Sequence, residues 1–204
     1  NVLEFNAQIL KRYVNFMNNP DEETAVNQFG KEDKYFGVCI LMSTMPGLPM
    51  FGHGQIEGFA EKYGMEYKRA YWEEHVDYHL VQRHEREVFP LLKKRYLFSD
   101  VENFYLYDFF AADGSVNENV FAYSNRFADE RALVLYNNKY DYAAGWISMS
   151  VAFLENEALV QRPLIDGLGY NADSNYYLIF RDHISGLEFI RHLPEIKNNG
   201  LYFE

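Results

Sequence analysis

Apolar residues change their period once along this chain, near Ser99. Before it the spacing is mostly helical: Val2, Phe5, Ile9 and Leu10 predict the amphipathic end of a helix, and Tyr35 to Met45 predict a nearly all-apolar one. Val14 to Met17 and Leu48 to Phe51 are short apolar runs bounded by Asn, Pro and Gly, the pattern of buried parallel strands that open into loops. Glu73 to Tyr96 predicts a longer helix with Val76, Leu80, Val88, Leu91 and Leu92 on a common face, kinked or split at Pro90. After Ser99 the period is two. Phe104 to Phe110, Val120 to Tyr123 and Ala132 to Tyr136 are β-rich runs set off by turn formers such as Asp113-Gly114 and Asn137-Asn138, and they predict an antiparallel sandwich. Tyr176 to Phe180 and Leu201 to Phe203 add further strands, flanking a segment 185–199 read as part helix, part loop.

Composition bounds this picture. A chain of 204 residues, 48% apolar and 18% aromatic, buries a real core in one large or two small domains. Val38 to Met42, the longest apolar run, is too short to span a bilayer, and no leader pattern opens the chain, so no membrane partner is expected. A first residue Asn1 and a last stretch Leu201-Tyr202-Phe203-Glu204 that reads as a strand in progress suggest a piece of a longer protein. The net charge of −11 argues against nucleic acid, whose phosphates need clustered cations, and suits neutral polyols or sugars. Cys39 stands alone inside Val38-Cys39-Ile40-Leu41, which makes it a buried, inert thiol that cannot form an internal disulfide. That fits a reducing compartment such as the cytoplasm without establishing it.

Two motifs carry the candidate chemistry: Phe16-Met17-Asn18-Asn19-Pro20-Asp21, and Pro46-Gly47-Leu48-Pro49 with the loop Gly52-His53-Gly54-Gln55-Ile56-Glu57-Gly58 after it. Set between the predicted helices and followed by a β domain, they resemble the C-terminal third of a glycoside hydrolase family 13 enzyme, the α-amylase family, over roughly residues 1–140. The resemblance implies an α/β plus all-β fold: residues 1–98 as the C-terminal portion of a TIM (β/α)8 barrel, and residues 99–204 as an antiparallel β-sandwich, the family's domain C. It also implies a substrate, an α-glucan or oligosaccharide; no cofactor and no metal-ligating residue is expected in this chain, and calcium in a longer parent stays open.

In the family the first motif is Phe-x-x-Asn-His-Asp, and its Asp binds sugar hydroxyls and helps distort the ring toward an oxocarbenium-like transition state. Asp21 inherits that catalytic role and Asn19 a substrate-binding one, while Pro20 stands where a histidine would donate hydrogen bonds. Taken alone, Asn19-Pro20-Asp21-Glu22 also reads as a turn that caps the next helix, with Asp21 as N-cap. In the second motif Gly52-His53-Gly54 replaces an aromatic pair and a glycine, and Glu57 holds the acidic place one residue late; His53, Gln55 and Glu57 are the further substrate-binding candidates. The glycines break the dinucleotide-binding spacing.

The nucleophile and general acid of the family have no counterpart here, and the resemblance places them upstream of Asn1. The chain by itself is therefore expected to be inactive. The alternatives are an α-glucan transglycosylase of the same family and a non-catalytic carbohydrate-binding or structural relative with a degenerate site. A part-barrel would also expose apolar strand edges, through which the chain could self-associate. Two other clusters compete for attention. His75 and His79 are four apart on the predicted helix, but His-Val-Asp-Tyr-His lacks the zincin glutamate, and a solvated charged face is the simpler reading. Tyr136, Tyr140, Tyr142 and Trp146 could stack on sugars, although core packing explains alternating aromatics more often.

Overall fold

The computed structural model describes residues 6–64 and 68–204. They belong to two compact units, one formed by Arg12–Arg95 and one by Asn1–Lys11 with Tyr96–Glu204.

In the first unit, β1 (Val14–Phe16) pairs in parallel with β2 (Leu48–Met50), Val14 opposite Leu48 and Phe16 opposite Met50. A parallel pair needs a crossover, and the helices α1 (Ala25–Phe29) and α2 (Asp33–Thr44) supply it. Thr24 rather than Asp21 caps α1, its hydroxyl accepting from Asn27 N at 3.4 Å, and Gly30 ends the helix at φ +74°. The largely apolar α2 is the buried centre of the unit: Tyr35, Phe36, Cys39 and Met42 pack with Met17, Val26, Leu80 and Val88. Arg95 fastens the entry to β2, with Nη1 donating to Ser43 O at 2.6 Å and Nη2 to Gly47 O at 2.5 Å. Asn15 Nδ2 donates to Pro46 O at 2.8 Å beside it.

Three expectations change in this unit. The parallel strands are not buried on both faces, because Val14, Phe16 and Leu48 are 45%, 44% and 62% exposed. The long helix is three: α3 (Tyr78–Glu87), α4 (Phe89–Leu92) and α5 (Arg95–Phe98). Asp77 starts α3 by accepting from Leu80 N at 3.2 Å, and Pro90, which has no N–H to give, sits in the first turn of α4. His75 therefore precedes the helix that holds His79, their shared face does not exist, and no group of metal-binding side chains occurs among the described residues.

The second unit opens with a 3₁₀ turn at Ala7–Arg12 in place of an α-helix, with Leu10 buried; Val2 and Phe5 lie outside the described residues. Its strands are antiparallel. β3 (Tyr105–Tyr107), β4 (Val120–Phe127) and β5 (Glu130–Asn137) form one sheet, β6 (Gly145–Ile147) pairs with β11 (Leu201–Phe203), β7 (Phe153–Glu155) with β8 (Ala158–Val160), and β9 (Tyr177–Arg181) with β10 (Glu188–His192). Single bridges tie them, Phe110 to Trp146 and Tyr107 to Ser150 among them. Tyr107, Phe109, Ala122 and Ile147 build the core with Leu164 and Ile165 of α6 (Leu164–Gly167) and Leu193 and Ile196 of α7 (Leu193–Asn199). The segment 185–199 thus holds a full strand before its helix, because Glu188 to His192 find a partner in β9.

Candidate functional site

The loops that leave the C-terminal ends of β1 and β2 meet over a small depression that is open to solvent. Asn18, Asn19, Pro20, Glu22 and Thr24 line it from the first loop, and His53, Glu61, Lys62 and Tyr63 from the second. Both loops are tightly held. The Asn19 side-chain oxygen accepts from the backbone N–H of Asp21 and of Glu22, each at 2.9 Å, and Lys62 Nζ donates to the Asp21 carbonyl at 2.7 Å. Asn19 therefore shapes the turn, while Asp21 is exposed and does not itself line the depression, although its neighbours Pro20 and Glu22 do. Among the described residues nothing hydrogen-bonds to the Asp21 carboxylate.

The predicted second-loop residues divide. His53 is exposed on the depression, its ring 5.3 Å from that of Tyr63 and 6.3 Å from that of Phe59. Gln55 is buried and braces the loop: Oε1 accepts from Gly52 N at 3.0 Å, Nε2 lies 3.2 Å from Met17 Sδ, and the carbonyl accepts from Tyr35 Oη at 2.8 Å. Glu57 holds the start of α3 through its carbonyl, which accepts from Asp77 N at 2.9 Å. Neither Gln55 nor Glu57 lines the depression. The glycines here admit protein rather than ligand. A Cβ on Gly52 would lie 2.4 Å from Asn18 Nδ2, and Gly54, at φ +67°, lets the Phe59 ring close over it.

Asn18 and Glu61 have no place in the sequence reading. Asn18 is 5% exposed, lines the depression, and its Oδ1 meets no donor among the described residues. Such a buried acceptor at a cavity wall suits a ligand hydroxyl. Glu61 is occupied. Its two oxygens accept from Tyr71 N at 2.7 Å and Trp72 N at 3.0 Å, while Glu74 reciprocates by accepting from Ala60 N at 2.7 Å and Glu61 N at 3.0 Å. This exchange of carboxylates presents Tyr71 and Trp72 as exposed aromatic faces on the same loop. Only the preceding Asn18-Asn19 doublet hinted at the first residue, and nothing in the spacing marked the second.

Beneath the second loop is a buried pair. His84 Nδ1 lies 2.9 Å from Leu80 O and Nε2 3.1 Å from Tyr35 Oη. Burial pushes the His84 pKa below its ordinary value, against the attraction of Glu57 and Glu87, and pushes that of the Tyr35 phenol up. Burial likewise drives the Cys39 thiol up to about 12.

The aromatic cluster of the second unit divides. Tyr136 stacks on Phe121 and Trp146 lies tilted against Tyr202, while Tyr140 and Tyr142 are exposed.

No protein-family model matches the sequence, and no curated protein matches it. Several solved structures match the chain, two α-amylases among them. One is a noncanonic maltogenic α-amylase from Thermotoga neapolitana, 14% identical with a TM-score of 0.54, aligned over 89% of this chain and 36% of its own. The other is an α-amylase from Geobacillus thermoleovorans complexed with acarbose, 13% identical with a TM-score of 0.47 over 74% and 34%. At such identity the likeness to the first is one of fold alone. The chain spans about a third of the length of either structure.

Proposed function

We propose that this chain is the C-terminal part of a glycoside hydrolase, or of a closely related transglycosylase, acting on α-glucosidic linkages of glucans or oligosaccharides. In this reading the first unit is the end of a (β/α)8 barrel, the second is its β-sandwich domain, and the depression is one wall of a sugar subsite. The observation that carries it is the meeting of two loops at the C-terminal ends of two adjacent parallel strands, the place where such barrels build active sites. The amylase-like fold supports it.

Within the subsite Asp21 supplies a carboxylate whose hydrogen bonds to sugar hydroxyls strengthen as positive charge grows on the ring. Asn18 Oδ1 accepts from a further hydroxyl, and His53 and Tyr63 offer ring faces to the sugar. Pro20 donates nothing. With Glu61 committed to backbone N–H groups, no lining carboxylate pair is arranged for acid and nucleophile. The chain alone therefore binds sugar without cleaving it.

Maltoheptaose titrated into the isotopically labelled chain is expected to shift the resonances of Asn18, Asn19 and His53, with Asp21→Asn weakening binding about tenfold, the cost of a lost charge-assisted hydrogen bond. Silence at those residues would sink the subsite. Turnover of maltooligosaccharide that disappears in Asp21→Ala would overturn the division of labour. A second reading, a sugar-binding relative without catalysis, draws on Pro20; for it, titration succeeds and no upstream segment restores activity.

A further inference from the structure

Strands β9 and β10 form a hairpin with its own two-stranded sheet, and among the described residues no strand or bridge meets the outer edge of β10. The hairpin is apolar where it is bare: Ile179 is 63% exposed and Ile190, directly across from it, 61%. The phase of its hydrogen bonds decides which backbone groups face away from β9. Asp182 N donates to Leu187 O at 2.8 Å and Leu193 N to Tyr176 O at 3.0 Å, so in this register Phe189 and Arg191 bond inward. The N–H groups of Glu188, Ile190 and His192 point outward, as do the C=O groups of Glu188 and Ile190, while the C=O of His192, the N-cap of α7, is taken by the first turn of that helix.

Along that edge the sequence Glu188-Phe189-Ile190-Arg191-His192 is complementary to its own reverse. Laid antiparallel on a second copy about a two-fold axis through Ile190, Glu188 falls opposite His192, Phe189 opposite Arg191, and Ile190 opposite itself. All three outward residues then occupy hydrogen-bonded pair positions at once. An acid meets an imidazole, a guanidinium meets an aromatic ring, and the two exposed isoleucines cover each other.

We propose that β10 is a self-pairing edge, through which two copies of this chain join into one continuous sheet running β9, β10, β10, β9. A net charge of −11 sets copies against each other in general, so a contact between them has to be locally matched, and this five-residue strand is. In the single chain Arg191 Nη1 caps the central outward acceptor, Ile190 O, at 2.9 Å, and its guanidinium carbon lies 5.8 Å from the centre of the Phe189 ring. The carbonyl keeps a second lone pair for the incoming strand, and the guanidinium can move to the second copy's Phe189. This edge is separate from β1 and β2 and from the sugar subsite.

Two measurements on the full chain test it. Ile190→Pro deletes an outward N–H and leaves the inward-bonding Phe189 and Arg191 in place. By sedimentation the parent is expected to dimerise, and the variant roughly ten- to thirty-fold more weakly, since one hydrogen bond is lost from each copy. Ile190→Cys places a thiol on the axis in a chain whose Cys39 is buried, with partner Cα atoms about 5.5 Å apart, so mild oxidation should link it rapidly. Ile179→Cys, one strand back from the axis, should stay unlinked. A parent that sediments as a monomer, association untouched by Ile190→Pro, or Ile179→Cys chains linking as fast as Ile190→Cys chains would each overturn the proposal.

Discussion

Asn18 and Gly52 show how closely single atoms fix the candidate site. The Asn18 amide rests where a Cβ on Gly52 would be, and its buried oxygen meets no donor among the described residues although Asn18 lines the depression. Gly52→Ala is therefore expected to cost about 1–3 kcal/mol through overpacking, since Asn18 is buried and has little room to turn. Asn18→Ala in the same chain should return most of that stability while weakening maltoheptaose binding, and a urea titration of the single and double variants separates the two effects. Full stability in Gly52→Ala would show that the amide moves freely and is no fixed wall. Cys39 makes a simpler case. Fully buried, with its thiol pushed up to about 12, it should resist alkylation in the folded chain at neutral pH and react at once in denaturant. Labelling of the native protein at the unfolded rate would contradict the packing of α2.

Among the elements, α3 is where charge and burial contend most sharply. Glu87 is 3% exposed, yet its carboxylate holds Arg83 Nε at 2.9 Å and Arg86 Nη2 at 2.6 Å, and Arg83 reaches on to Asp33 at 2.6 Å across the ring of Phe36. Arg83→Met removes a partner from a buried acid and should cost about 2 kcal/mol, less than a wholly orphaned charge because Arg86 remains. One turn back, His84 gives a pH signature. Its folded pKa lies below the ordinary value near 6.5, so below that pH the unfolded chain takes up a proton that the folded one refuses. Stability is then complete above about pH 6.5 and falls as the pH drops through the window beneath it, at no more than about 1.4 kcal/mol per unit. His84→Gln should flatten that part of the profile in urea midpoints taken from pH 7.5 to about pH 5; an unchanged slope would assign it to other groups. Such contests are also where sequence reading stopped. Pro90 announced the break after α3, and period-two runs announced β3 to β5, because backbone restriction and alternation are local. The start of α3 was not legible, since Asp77 caps it only with the help of the Glu57 carbonyl and Lys31 from far along the chain. Nor was β10, whose alternation is broken by exposed apolar residues, nor the turn at Ala128, which takes φ +50° without a glycine to mark it. In the site, motif spacing drew attention to the two loops, from which Asn19 and His53 line the depression and Asp21 does not, while Gln55 and Glu57 brace the loops that carry them.

At the scale of the whole chain, the unusual feature is an uncovered parallel pair. Parallel strands normally lie between two layers, yet Val14, Phe16 and Leu48 put apolar side chains into solvent. Met17, the residue after β1, enters the core of its unit on the side opposite Val14 and Phe16, so theirs is the bare face. Under the proposed reading that surface is where the remaining barrel strands and their core side chains belong, and the chain by itself should behave as an exposed apolar patch does. It should bind a hydrophobic dye such as ANS, and Val14→Lys with Leu48→Lys should abolish most of the fluorescence without unfolding the unit, because neither side chain is in its core. The same pair of substitutions should leave disulfide formation by Ile190→Cys unaltered, since β10 belongs to the other unit. A segment supplying the preceding strands, added in trans, should quench the dye as the double lysine does. Dye binding that ignores both the substitutions and the added segment would mean that the apolar surface lies elsewhere, and the barrel reading of β1 and β2 would lose its physical basis.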